Sequence, residues 1–158
     1  MARHLMTAAV LALAGLSSAQ AQDYPTRTAT IIVPFAAGGP ADITGRLVAD
    51  IFSRYLGQRF VVENVTGGGG TTGALRAARA APDGYTILSG HLGTNALAPA
   101  FYPNLGYDPQ KDFEPIGLTA EYPELLVVRK DFPADSFKEF IAYAKSNPDK
   151  LNVGHAGL

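Results

Sequence analysis

The 158-residue chain contains no cysteine. That excludes a disulfide framework, a thiolate metal site, a cysteine nucleophile and a lipidated-cysteine anchor. An excess of charge of one sign is also missing. Thirteen Lys and Arg face fourteen Asp and Glu, a balance that argues against nucleic acid or an anionic membrane surface as partner. Histidine is scarce: His4, His91 and His155 are too scattered to form a metal cluster, and neither G-x-S-x-G nor H-E-x-x-H occurs. The apolar run Leu5 to Leu16 falls short of the roughly 20 residues that span a bilayer, and no later segment is apolar and long enough.

That short run reads instead as part of an export leader over residues 1–21. Arg3 supplies the positive start, and Ala19-Gln20-Ala21 is an A-x-A cleavage site. A mature chain beginning at Gln22 and located in the periplasm is expected. Its remaining 137 residues carry 12 basic and 14 acidic side chains, so any anion is captured by local geometry rather than by overall charge.

What the chain has instead is glycine, placed in two turns. The first follows an apolar stretch as Ile31-Ile32-Val33-Pro34-Phe35-Ala36-Ala37-Gly38-Gly39, and the second follows Val61-Val62 as Gly67-Gly68-Gly69-Gly70-Thr71-Thr72-Gly73. Glycine permits sharp turns and leaves N–H groups bare, and a helix starting there presents unpaired N–H groups. Such a turn is an anion site that needs no Lys or Arg.

The order of segments is β-α-β-α-β. Strands are expected at Thr28 to Phe35, Phe60 to Val62 and Tyr85 to Ser89. The first helix carries Ile43, Leu47, Val48, Ile51, Phe52 and Tyr55 on one stripe and stops at Gly57, and a second helix is expected from Thr71 to Ala81. This pattern implies an α/β fold with a parallel sheet and right-handed crossovers. Both glycine turns then face one sheet edge, where such folds hold ligands. Tyr102 to Pro115 is irregular. Ile116 to Ala120 and Leu125 to Arg129 read as two further strands, and Ser136 with Glu139 forms a capping box for a last helix. The final residues, Leu151 to Leu158, read as a strand entering another small-residue turn with nothing after it, as in a fragment.

Gly68 to Gly73 spells G-x-G-x-x-G, but no acid lies about 20 positions on to hold a ribose, so the dinucleotide reading fails. No Lys follows the glycines, so a P-loop fails as well. No cofactor is expected. Asp42 could serve a ligand, but an acid in the first helical turn, favoured by the helix dipole, is the preferred reading. Thr71, Thr72, Thr94 and Asn95 are pocket candidates, because short hydroxyls and amides at helix starts can donate to a carboxylate. N-capping is compatible with that role. His91 follows a strand end and is equally a pocket or a surface-loop residue. Asn64-Val65-Thr66 matches a glycosylation sequon by chance, the turn needing Asn64 for itself. An exported enzyme acting on an anionic substrate is the competing class, with only Asp42, Glu63 and His91 available as a base.

Taken together, these residues resemble the Bug family of periplasmic solute-binding proteins of tripartite tricarboxylate transporters. The matching series is Tyr24-Pro25, Ile32 to Gly39 with Asp42, Leu56-Gly57-Gln58, Val62-Glu63-Asn64, Gly67 to Gly73, and Ala81 to Thr86. It continues through Tyr107-Asp108-Pro109 with Lys111 to Phe113, and Leu151 to Gly157. The resemblance implies a periplasmic-binding-protein-like two-lobed fold of type II, binding activity rather than catalysis, and delivery to one large and one small integral membrane subunit. It divides the chain into lobe 1 over 22–118, without its return strands, and the start of lobe 2 over 119–158. The ligand implied is a small carboxylate: a di- or tricarboxylate, an amino acid or an aromatic acid. Its implied contacts are Phe35, Ala37, Gly38 and Gly39; Gly69, Gly70, Thr71, Thr72 and Gly73; His91, Thr94 and Asn95; and, from the second lobe, His155, Ala156 and Gly157. The family usually has Pro at the position of Thr66 and Ser at that of His155.

Overall fold

The computed structural model describes residues 23–121, 123 and 125–154. The leader, and the expected contacts at His155, Ala156 and Gly157, lie outside the described residues. Strand β1 (Ala29–Val33) pairs in parallel with β2 (Phe60–Asn64) on one side and β3 (Thr86–Leu88) on the other, giving the order β2-β1-β3. Val33 stands opposite Asn64 and Ile32 opposite Leu88. The central strand is buried on both faces, with Ala29, Ile31, Ile32 and Val33 at 2% exposure or less, which is why its sequence is a continuous apolar run and not an alternating one. Because all three strands point the same way, the segments leaving them emerge at one edge.

Helix α1 (Pro40–Leu56) starts with Pro40 at its first position, a place where the missing N–H costs nothing. It ends at Gly57, whose φ of +71° is the left-handed cap expected from the sequence. Its buried face differs from expectation. The helix packs through Ala41, Gly45, Val48, Ala49 and Phe52. Ile43, Leu47, Ile51 and Tyr55 are exposed, Tyr55 at 84%. The cause lies at Gly45, where an added Cβ would sit 2.6 Å from Val33 Cγ2. The helix lies too close to β1 for a large side chain at the contact, so Gly45 and Ala49 sit at the seam, Val48 and Phe52 of the expected stripe pack beside it, and the other four turn outward.

Helix α2 (Thr71–Ala78) is shorter than expected, closing through Arg79 N–H to Leu75 O and Ala80 N–H to Ala77 O. After β3 come a π-helical turn (Gly93–Leu97) and a one-turn helix α3 (Ala98–Phe101). The strands expected at 116–120 and 125–129 are absent among the described residues. Ile116, Leu118, Leu125 and Val127 are each more than 70% exposed; an apolar run becomes a strand only where another strand takes its backbone groups, and none pairs with it here. Helix α4 (Phe137–Ser146) does carry its capping box. Glu139 N–H donates to Ser136 Oγ at 3.3 Å, while Glu139 Oε2 accepts from Asp135 N–H, one residue before the cap. No helix among the described residues is long and apolar enough to cross a membrane.

Candidate functional site

Three loops leave the C-terminal ends of the strands: loop A (residues 34–39), loop B (residues 65–70) and loop C (residues 89–97). Hydrogen bonds continue the ladder into the last two, Val65 N–H donating to Val33 O and Ser89 N–H to Ile32 O, both at 2.9 Å. The loops meet at Gly70. An added Cβ there would lie 2.7 Å from Thr94 Cγ2 of loop C and 3.2 Å from Phe35 Cζ of loop A. The Phe35 ring meets His91 edge to face at 5.2 Å. Gly73, in the first turn of α2, lies against backbone, its added Cβ falling 2.7 Å from Val65 O and 2.9 Å from Pro34 Cα.

Loop B shows why four glycines stand in succession. Gly67, Gly68, Gly69 and Gly70 have φ of +126°, +54°, +62° and +96°, a run of left-handed backbone that side-chain-bearing residues rarely adopt. In loop A the amides of Ala36 and Ala37, both exposed residues, make no hydrogen bond among the described residues. The Gly38 amide is already committed, donating to Asp42 Oδ2 at 2.8 Å.

Asp42 is 3% exposed and accepts two further hydrogen bonds, from Arg46 Nε at 2.9 Å and from Asn64 Nδ2 at 2.9 Å. The Arg46 guanidinium first, then the Gly38 amide and Asn64, hold its carboxyl well below the usual carboxylate range. A depressed folded-state pKa stabilises the fold above the unfolded value and loses that contribution as pH falls through the folded one. The stability gap between wild type and Asp42→Asn, measured by urea denaturation, is expected to hold from pH 7 to pH 5 and to narrow below about pH 4. A gap independent of pH down to pH 2 would contradict this assignment.

The threonines divide. Thr94 is fully buried. Its hydroxyl accepts from the His91 amide at 3.1 Å and has one proton to share between His91 O and Asn95 Oδ1. It spaces loop C internally. Thr71 Oγ1 donates to Gly68 O and closes loop B. Thr72 is exposed, and its hydroxyl makes no hydrogen bond among the described residues. His91 Nδ1 accepts from the Gly93 amide at 3.0 Å, and this bond assigns the proton of the neutral imidazole to Nε2 as a donor. Asn95 is exposed beside Gly90.

Sequence reasoning missed Tyr107. It is buried, and its hydroxyl donates to Thr94 O at 2.7 Å, pinning the π-helical turn from a segment otherwise irregular. The Tyr107-Asp108-Pro109 signature was its visible trace. Among the candidate bases, Asp42 already accepts three hydrogen bonds and Glu63 Oε1 lies 2.6 Å from Arg76 Nη1. No group of three or more His, Cys, Asp or Glu among the described residues could hold a metal ion. A cavity of about 1,410 Å³ runs beside β3 between α1 and residues 109–121, and loop C contributes Ser89 to Leu92 and Asn95 to its lining.

Residues 44–158 match the family described as tripartite tricarboxylate transporter family receptor. A UPF0065 protein of Agrobacterium vitis, from the TAR-I ttuE-ttuC' intergenic region, is 48% identical over 140 residues, covering 88% of this chain and 40% of its own length. Two solved structures from Rhodopseudomonas palustris superpose on 85% of the chain. MatC with bound malate does so at 50% identity and a TM-score of 0.79, with 46% of its own length covered. Rpa4515 with adipate does so at 39% identity and a TM-score of 0.77, with 45% covered. The chain thus spans less than half the length of these relatives.

Proposed function

Since this chain belongs to the tripartite tricarboxylate transporter receptor family, one of binding proteins and not enzymes, we propose that it is the carboxylate-capturing part of an extracytoplasmic solute receptor. In this reading residues 22–118 form one lobe, residues 119–158 begin the second, and the ligand passes to integral membrane subunits. The observation that carries it is the meeting of three loops, two of them glycine-rich, at one edge of a parallel sheet, with loop-A amides left without partners. A carboxylate held this way is bound by backbone donors, Thr72 and the Nε2 proton of His91. Thr94, Thr71 and Gly70 keep those donors in place. The malate and adipate in the two superposed relatives fit the same ligand chemistry.

Thermal-shift screening of the full-length protein tests the reading. Malate or adipate is expected to raise Tm by linkage, and neutral diols of the same length are not. A screen in which no di- or tricarboxylate, amino acid or aromatic acid shifts Tm would overturn it.

Positive charge on α2 plays little part in this reading. Arg76 is paired with Glu63 and both are half exposed, so Arg76→Ala, like Arg79→Ala, should cost less than about 1 kcal/mol of carboxylate affinity by calorimetry. Loss of detectable binding in either variant would replace the backbone reading with a side-chain one.

Export is part of the same proposal. Intact-mass analysis of protein collected outside the cytoplasm is expected to show a mature N-terminus at Gln22. A mass that includes Met1 to Ala21 would remove both the processing and the periplasmic assignment.

A further inference from the structure

We propose that Asp42 is a positioning residue for the carboxylate site, fastening loop A to the end of β2 so that the loop-A and loop-B donors keep a fixed spacing. This rests on the function proposed above. Asn64 is the last residue of β2, the point from which loop B departs. Its Nδ2 donates both to Asp42 Oδ1 and, at 3.0 Å, to Phe35 O at the start of loop A. Asp42 in turn holds the Gly38 amide near the other end of that loop. Arg46 closes the ring, its Nε on Asp42 and its Nη2 on Asn64 Oδ1 at 3.2 Å. Loop A is thereby held near both ends, directly by Asn64 of the neighbouring strand at Phe35 and through the buried Asp42 carboxylate at Gly38.

The position requires a carboxylate. Three N–H donors converge on Asp42, and a carboxylate is acceptor-only. An amide there would turn N–H against N–H on at least one side. The charge of Asp42 is balanced by Arg46 and by the start of α1, so it does not repel an incoming anion as a bare carboxylate would. The opposite reading makes Asp42 a competitor that occupies the Gly38 donor. Its removal would then free an anion contact and tighten binding. Positioning is favoured because a loop freed at its Gly38 end must be ordered again at each binding event, which outweighs one recovered donor.

The test uses the full-length protein, with amide exchange by NMR and calorimetric titration with malate and with adipate. Asp42→Asn is expected to speed exchange at Gly38 at least tenfold while Ile31 and Ile32 of β1 keep wild-type protection. Affinity for whichever carboxylate the wild type binds should fall at least tenfold. Combining Asp42→Asn with Asn64→Asp returns an acceptor to the amide at position 42. Gly38 protection should then recover while affinity recovers only in part, because the donor to Phe35 O is gone. Should Asp42→Asn fail to fold, Asn64→Ala reads the same ring from its other side, with at least threefold faster exchange at Gly38 expected. Unchanged Gly38 exchange overturns the proposal, as does equal or tighter binding by Asp42→Asn. If the wild type binds neither carboxylate, the receptor reading fails, while the exchange arm still decides whether Asp42 holds the loop.

Discussion

Gly70→Val is expected to lower Tm by about 4–20 °C, whereas Gly39→Ala should leave it within about 2 °C. Gly70 is buried at φ +96°, with Thr94 Cγ2, Phe35 Cζ and Pro34 Cβ around the place a side chain would enter. Left-handed backbone costs an L-residue about 1–2 kcal/mol, and overpacking a closed site typically adds about 1–3 kcal/mol. At about 2–4 °C per kcal/mol for a domain of this size, the sum is large against a total stability of about 5–15 kcal/mol. Gly39 has φ −82° and nothing nearer to an added Cβ than Ala36 O at 3.6 Å. Scanning calorimetry on the two variants decides the matter, and a Gly70→Val protein melting with the wild type would mean that the loops do not meet there. From sequence, Gly70 read as a place where ligand approaches the backbone. Its burial shows that any binding lost in Gly70→Val comes first from the loops being pushed apart.

Residues 22–158 alone should bind malate or adipate no more tightly than about millimolar. Hydrogen bonds to a charged group contribute about 1.5–3 kcal/mol each. Three from these loops supply about 4.5–9 kcal/mol against an association cost of at least about 4 kcal/mol. The remainder, at most about 5 kcal/mol, sits close to the 4 kcal/mol of a millimolar complex and well short of the 8 kcal/mol of a micromolar one. The relatives found with malate and adipate are more than half composed of sequence that this chain does not cover. A second surface that closes over the ligand and excludes water is the expected source of the difference. Titration calorimetry on residues 22–158 checks it, and micromolar binding by a monomer would show that the three loops suffice.

Much of the fold was legible because its signals are local. The apolar run at β1, the left-handed stop at Gly57, the Ser136–Glu139 cap and the glycine turns are each decided by a few neighbouring residues and their allowed backbone angles. From them follow the β-α-β-α-β order, the parallel sheet and the edge at which loops A and B emerge. The absence of cysteine and of any charge excess likewise needed no structure to exclude whole classes of chemistry.

What only the tertiary structure decided is which atoms already have partners. Gly45 against Val33 set the buried face of α1, keeping Val48 and Phe52 of the expected stripe and turning Ile43, Leu47, Ile51 and Tyr55 outward. Thr94 and Thr71 turned inward to hold loops, and Tyr107 reached Thr94 across thirteen residues. Residues 116–120 and 125–129, strand-like in pattern, found no strand to pair with. Asp42 met an amide 22 positions away, which no spacing rule could show. Local sequence sets which backbone angles and which helix or strand periods are available. A side chain's partner depends on distances that exist only once β2, β1 and β3 stand in register, and those distances separated the donors without a partner among the described residues from the donors that hold the loops together.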